Sequence, residues 1–585
     1  MLSNALTFLA PFVTPPVTLT SFTSSKCIPS IPTDRHNIHS HARRNLITSS
    51  SRKKLSMRYD PELHGSTHDV IIIGSGFGGL CAAAMLTAYG HRPLLLESHY
   101  SPGGVAHGFT VKAAQGDFHF DTGPSFFCAL DTPRSLNPLK QALDAVGEHV
   151  PSVSYPSFCI DDLKIGTVTV SENEERTLRS VRRLAGAEAA HQLRRVYDVM
   201  RDIHSNMDVP AIALRGDWKA FPILSRRWAM NMLSLLPYVG DVTRPVGDIL
   251  QRMKVTHPFV KRILDTEAFL LSGLKTDGTI TAEIAFMVGE RCKPGAMQYP
   301  VGGASAIVDA LVRGIQRKGG IIRLKSHVQR ILVEDGVAVG VDLKSGERMF
   351  AKHVFSNASL WDTVNYLLPA EALPSAYRRK ALQTPLVESF VHAHMAIPAE
   401  GLDDIIGHHA VIIDSDKDIA LPGNTVMISI PTVWSPDLAP EGWHIVHCYT
   451  LEHYDKWPSL RKNREQYEAA KKRAAEPLFT AVRHVIPDLD ERLLHHDAFV
   501  KLGSPLTHER FNRRYKGTYG AAIAAGKDEF EWPGDIPIKN LKRCSDSTFP
   551  GIGVPSSAAA GIIAANEIVG IREHLKIIDK VFPPR

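Results

Sequence analysis

Asp69-Val70-Ile71-Ile72-Ile73-Gly74-Ser75-Gly76-Phe77-Gly78-Gly79 is the stretch whose reading decides the fold. An acid followed by an unbroken apolar run that stops at glycine reads as a strand buried on both faces, as in a parallel sheet. Residues 80–88 continue as a helix, and 93–96 form a second apolar run that ends in Glu97. The unit is β-α-β. Gly74 permits the tight turn, Gly76 lets a diphosphate approach the backbone, and Gly79 lets helix and strand pack closely. The helix N-terminus offers N–H groups and a positive dipole end to the phosphates. Glu97 is placed for the ribose hydroxyls of an adenosine and opposes a 2′-phosphate. The spacing predicts a bound dinucleotide; a glycine turn that merely packs two elements together is the alternative.

Outward from this unit, Ser101-Pro102-Gly103-Gly104 and then Phe118-His119-Phe120-Asp121-Thr122-Gly123-Pro124-Ser125 follow Glu97 closely. Near the other end, Asp546 precedes Phe549-Pro550-Gly551-Ile552-Gly553-Val554 and a helix of small residues over 558–565. Between them, Tyr299-Pro300-Val301-Gly302-Gly303 precedes a helix that ends near Lys318. Short alternating segments at 321–324, 328–333, 337–343 and 349–350 are punctuated by Asp335-Gly336 and Ser345-Gly346, which are hairpin signals. Val354-Phe355-Ser356-Asn357-Ala358 reads as a returning strand and turn. As bare pattern these are equally a meander with a Ser-Asn turn and a Gly/Ala helix contact.

These blocks resemble the flavin amine-oxidase and carotenoid-desaturase superfamily. Gln298-Tyr299-Pro300-Val301-Gly302-Gly303, Ser356-Asn357-Ala358-Ser359-Leu360-Trp361-Asp362-Thr363 and Gly503-Ser504-Pro505-Leu506-Thr507-His508-Glu509-Arg510-Phe511 resemble its carotenoid isomerase (prolycopene isomerase-like) group. The resemblance runs from about Asp69 to Glu567. It implies an α/β fold in which a Rossmann-type, glutathione-reductase-like FAD-binding domain (65–139, 296–364 and 535–575) is interleaved with an α+β substrate-binding domain (140–295 and 365–534). It further implies that Gly74, Gly76, Phe77, Gly78, Gly79, Glu97, Gly103 and Gly104 hold the adenosine diphosphate half of FAD. Val328 and Ser356-Asn357 would lie on the adenosine side, Asp546 on the ribityl chain, and Gly553-Val554 at the flavin ring. Val105 stands where amine oxidases carry Arg, which argues against an amine substrate. Ser545 replaces the usual glycine before Asp546.

The implied reaction is redox-neutral, with reduced FAD lending charge to a transient centre on a carotenoid during cis/trans isomerisation or hydration. A desaturase or saturase with net electron transfer and a non-enzymatic carotenoid-binding factor are the alternatives. Glu290 is the candidate assisting acid, weighed against a surface Glu paired with Arg291. A polyene must be buried against apolar walls, which segments such as 268–271 and 285–288 supply. Because such a substrate resides in membranes, residues 226–238 (Arg-Arg-Trp-Ala-Met-Asn-Met-Leu-Ser-Leu-Leu-Pro-Tyr) are expected to form an interfacial helix; a core helix with a basic cap is the other reading.

Composition narrows the rest. The chain has 585 residues, 44% hydrophobic and 22% charged, which excludes a disordered or disulfide-stapled scaffold. Residues 1–60 carry eight Lys/Arg against two Asp/Glu and so hold the whole net charge of +6. A neutral remainder argues against nucleic-acid binding. That acid-poor, Ser- and Arg-rich start reads as a plastid targeting segment, giving a stromal or membrane-associated protein. The charge-free stretches 70–90 and 548–566 are Gly- and Ala-rich rather than Leu-rich, so no transmembrane helix is expected. Seven scattered cysteines without a C-x-x-C pair suit a reducing compartment. His392/His394, His408-His409 and His495-His496 show no third ligand at a suitable spacing, and no metal is expected.

Overall fold

The computed structural model describes residues 68–524 and 536–584. The targeting segment expected at 1–60 lies outside the described residues. The first strand, β1 (His68–Ile73), runs into helix α1 (Phe77–Ala88) and then β2 (Pro93–Leu96), which lies parallel to β1 with Ile73 opposite Leu96. Much later in the chain come α2 (Ala304–Arg317), β3 (Ile321–Arg323), β4 (Val328–Glu334), β5 (Val337–Leu343) and β6 (Arg348–Ser356). Close to the C-terminus are β7 (Leu541–Arg543) and α3 (Val554–Glu567). The parallel core has the order β3-β2-β1-β6-β7. Thus a sheet that begins at residue 68 is completed by strands from two distant segments, 321–356 and 541–543.

β4, β5 and the start of β6 form the expected meander on this sheet. Asp335 (φ 49) and Gly336 (φ 77) both adopt the left-handed conformation a tight hairpin demands.

Helix α1 is buried along nearly its whole length. On one side it packs on the parallel sheet, and α3 crosses it so closely that a Cβ at Gly561 would fall 2.1 Å from the Gly78 carbonyl oxygen. The small-residue stretches at 70–90 and 548–566 thus supply the two central helices of the core. No helix among the described residues is long and apolar enough to cross a membrane.

The second unit is a seven-stranded sheet in the order Phe499–Gly503, Ser389–Pro398, Trp443–Glu452, Thr425–Ser429, His408–Ile412, Ser157–Asp162, Gly166–Ser171. It is antiparallel except where His408–Ile412 meets Ser157–Asp162. Helices cover it, among them Glu174–Asn206, interrupted at Gly186 (φ 89), and Pro258–Ser272 and Thr281–Arg291. A three-stranded sheet joins the units, with Met297–Pro300 between Phe127–Cys128 and Ser152–Ser154.

Residues 226–238 depart from the expected single helix. The chain forms Ala220–Arg227 and Ala229–Leu235, followed by a 3-10 turn Leu236–Tyr238, with Trp228 non-helical at the joint. Trp228 is only 3% exposed and packs in the core cluster with Ile223 and Leu224. Burying that indole bends the chain, so Trp228 does not face outward as an interfacial anchor would. Trp218, Phe221, Met230, Leu233 and Leu236 are the exposed apolar side chains here.

Candidate functional site

One cavity of about 1450 Å³ runs from the β1–α1 turn to the start of α3. Drug-sized ligands occupy roughly 300–1,000 Å³, so a dinucleotide and part of a second molecule can share it. Gly74, Gly76, Phe77, Gly78, Glu97, Gly103, Gly104, Val328, Asn357, Asp546, Gly553 and Val554 all line it. The fold thus brings most of the expected binding residues to one space, although the chain separates them by hundreds of positions.

The glycines have distinct reasons. Gly74 (φ +93) turns the chain out of β1. A Cβ at Gly79 would lie 2.1 Å from the Gly74 carbonyl, and one at Gly78 would lie 1.9 Å from the Cys544 carbonyl. The turn is therefore compressed between the sheet and the segment after β7. Asn357 braces it: with its amide oxygen toward the Gly76 N–H and its nitrogen toward the Cys544 carbonyl, both at 3.2 Å, each group is satisfied. Gly79 lies behind the turn and serves packing rather than lining.

Glu97 is held by the same turn. Its Oε2 accepts from the Ser75 N–H at 2.8 Å and the Ser75 hydroxyl at 2.6 Å, and its Oε1 accepts from the His99 N–H at 2.7 Å. Ser75, the variable residue between two motif glycines, is the hidden partner that fixes the acid. At the far end, Asp546 Oδ2 accepts from Arg514 Nη2 at 2.7 Å. Ser356 faces away, fully buried, its hydroxyl 2.8 Å from Thr363 Oγ1.

Both helices that open onto the cavity start bare. The cap residues, Gly76 of α1 and Gly553 of α3, bring no side chain to their helix ends, and neither helix has an acid in its first turn. Uncapped N-termini keep N–H groups and positive dipole ends free for an electron-rich ligand. Two of them, facing one elongated cavity with a carboxylate beside each, suit a dinucleotide that carries negative charge both mid-molecule and at its distal ring.

The cavity continues past Gly553 to an aromatic wall. Phe390 lies 5.0 Å from Tyr519 and 5.3 Å from Tyr449, ring centre to ring centre, and all three line the space with Leu506 and Ile552. Asp121, expected in the flavin-side segment, ties the units together: its side chain accepts from the Tyr299 hydroxyl at 2.7 Å and the Ala304 N–H at 3.0 Å. Burial outweighs these bonds and pushes its carboxyl up to about 6.

Two acids share helix Thr281–Arg291. Glu290 bonds His204 at 3.0 Å and Lys293 at 2.6 Å. Burial alone would raise its carboxyl, but those two hydrogen bonds bring it below the ordinary range. Like Glu283 on the same helix, it does not line the cavity. The alternative of a surface Glu paired with Arg291 does not hold, because Glu290 is buried and Arg291 pairs with Glu267 at 2.6 Å. Glu283, two turns earlier, meets a different environment. It accepts a hydrogen bond from the Ser556 hydroxyl, at 2.9 Å, in the first turn of α3. Burial away from any cation pushes this carboxyl up to about 8, so it is neutral at pH 7. No sequence signal paired Glu283 with Ser556.

Comparison with known proteins adds to this geometry. The NAD(P)-binding Rossmann-like domain family matches residues 72–142. Prolycopene isomerase 1, chloroplastic, of an Oncidium hybrid cultivar is 31% identical, covering 88% of this chain and 86% of its own. The chloroplastic prolycopene isomerase of Arabidopsis thaliana is 30% identical over 88% and 85%. Phytoene desaturase (neurosporene-forming) of Cereibacter sphaeroides is 25% identical over 85% and 93%. Among solved structures, putrescine oxidase bound to putrescine aligns with a TM-score of 0.56 at 13% identity, covering 88% of this chain and 99% of its own; at that identity it shows the shared fold.

The half-buried Glu283 yields a thermodynamic prediction. The Glu283 carboxyl titrates near 8 in the folded chain against an ordinary 4.5. The native state therefore holds its proton longer than the unfolded one. That contribution to stability is complete below the ordinary value and is lost as pH rises through about 8. Glu283→Gln should remove this part of the pH dependence and make the protein more resistant to urea than wild type at alkaline pH. Equal urea midpoints for the two at every pH would contradict it.

Proposed function

The chain belongs to the prolycopene isomerase family, and on that premise we propose that it is an FAD-dependent carotenoid-modifying enzyme of the plastid. The reaction proposed is redox-neutral isomerisation, or hydration, of a polyene with the flavin reduced. The observation that carries this reading is the single cavity, which leads from the glycine turn past Gly553 to the Phe390–Tyr449–Tyr519 wall. Residues 65–139, 296–364 and 535–575 would form the FAD-binding unit, and 140–295 and 365–534 the substrate unit. Names of the relatives as chloroplastic support the plastid, and the Ser/Arg-rich start supports a transit peptide.

When bound, reduced flavin supplies electron density beside the conjugated chain. The protein's share is position and protons. Gly74, Gly76 and Gly78 admit the diphosphate to the backbone, Glu97 takes the ribose, Asp546 takes the ribityl side, and the start of α3 meets the ring. Val328 and Asn357 flank the adenosine. We assign the assisting acid to Glu283 rather than Glu290. The Ser556 hydroxyl donates to its Oε1, which leaves Oε2 to carry a proton beside the first turn of α3, one layer behind the cavity lining. A paired, ionised Glu290 has no proton to lend at neutral pH.

The phytoene desaturase relative favours a second reading, net desaturation. Anaerobic protein with reduced FAD separates the two. It should convert a poly-cis carotenoid to its all-trans isomer, read by chromatography, without a stoichiometric electron carrier. Conversion that stops unless a quinone acceptor is supplied in stoichiometric amount would establish the desaturase instead.

A membrane-resident substrate requires a docking face, and we place it on helices Ala220–Arg227 and Ala229–Leu235. Met230 is 73% and Leu233 56% exposed, beside the basic Arg226. An amphipathic surface with a basic edge suits an anionic lipid interface. Met230→Glu with Leu233→Glu should lower binding to anionic vesicles several-fold in flotation without changing the thermal midpoint; undiminished binding would exclude this face.

A further inference from the structure

We propose that His392, His394 and His447 bind a divalent transition-metal ion, of the zinc, cobalt or iron(II) class, on the floor of the cavity. His392 and His394 are alternate residues of strand Ser389–Pro398 and so point to one face of the sheet. By sequence spacing they lack a third ligand. Strand pairing provides it: His447, on Trp443–Glu452, stands directly opposite His394.

One ring nitrogen from each of the three lies within 4.8 Å of the others. The rings are 7%, 2% and 4% exposed in chain order. Both nitrogens of His392 and both of His447 are buried without a hydrogen-bond partner. Polar atoms so placed have lost hydration without a partner in exchange, and one ion would take up one nitrogen of each ring. His394 supplies the remaining piece: its Nε2 lies 2.9 Å from the Asp121 carbonyl oxygen. A carbonyl can only accept, so Nε2 carries the proton and Nδ1 keeps its lone pair, the backing that metal-binding histidines receive.

The His394 and His447 rings stack in parallel with centres 4.3 Å apart, so loading requires one of them to turn until both lone pairs reach the ion. Gly503 pairs with His392 on the neighbouring strand, and a Cβ there would fall 1.5 Å from His392 Nε2, so glycine makes room for the ring. His392 and His447 line the cavity, which leaves a fourth position open to water or to an oxygen of a second ligand, the pattern of a reactive rather than a closed site. An all-imidazole set selects borderline ions over Mg²⁺ or Ca²⁺. The other clusters differ. His409 is already engaged on both nitrogens, by Asp161 at 2.8 Å and the Ile406 carbonyl at 3.0 Å; His495, His496 and Asp497 lie at the surface.

The test uses the purified full chain with its native cofactor, stripped with a chelator and titrated with Co²⁺. Wild type should retain one Co²⁺ per chain through gel filtration and show ligand-field absorption that Zn²⁺ abolishes. His447→Gln should lose that equivalent, and His495→Ala with His496→Ala should keep it. No retained Co²⁺ in wild type, or full retention by a folded His447→Gln, overturns the proposal. Should His447→Gln fail to fold, X-ray absorption of zinc-loaded wild type decides: a shell with three imidazoles supports the site, and a shell without them overturns it.

Discussion

Everything in this structure depends on how closely two helices cross. α1 and α3 meet backbone to backbone at Gly78 and Gly561, where a single added Cβ would penetrate the opposing carbonyl. Only a chain of Gly and Ala on both helices permits this approach. Its consequence is that the N-termini of both helices open on one cavity, although their residues lie near opposite ends of the chain. The parallel sheet β3-β2-β1-β6-β7 is the platform that keeps them there.

Around that crossing the acidic residues have separate tasks set by their partners. Glu97 is locked by Ser75 and the His99 backbone, Asp546 by Arg514, and Asp121 by Tyr299 and Ala304. Each is fixed in direction before any ligand arrives, which is what a binding group needs. Among the described residues Glu283 bonds one hydroxyl and no cation, and it keeps its proton at neutral pH. One helix thus holds both a charged structural carboxylate and a neutral one, separated by about 10 Å of helical rise.

What the sequence made legible was local. The strand, glycine turn, helix, strand and acid of residues 69–97 could be read because each depends on neighbours a few positions away, and the hairpin at Asp335-Gly336 likewise. The family resemblance extended that reading to residues 299–303, 356–363 and 546–554. Contacts made by the fold itself were not legible. Ser556 approaches Glu283 across 273 positions, and Arg514 reaches Asp546 from a helix end with no motif of its own. Glu290 attracted attention through its nearness to Tyr299 in the chain, whereas the helix carries it to His204 and Lys293. The same limit hid His447, which becomes a neighbour of His394 only once strands 389–398 and 443–452 pair. At 226–238 the composition was that of an interfacial helix, but periodicity could not foresee that Trp228 would turn inward and split it.

The central claim is that two bare helix ends and their attendant carboxylates hold one FAD lengthwise. The most direct measurement is the nucleotide released when the purified full chain is denatured, identified by chromatography and quantified by absorbance. The account predicts FAD, one per chain, either as isolated or after incubation with the free nucleotide. A colourless protein that takes up no flavin under either condition would contradict it.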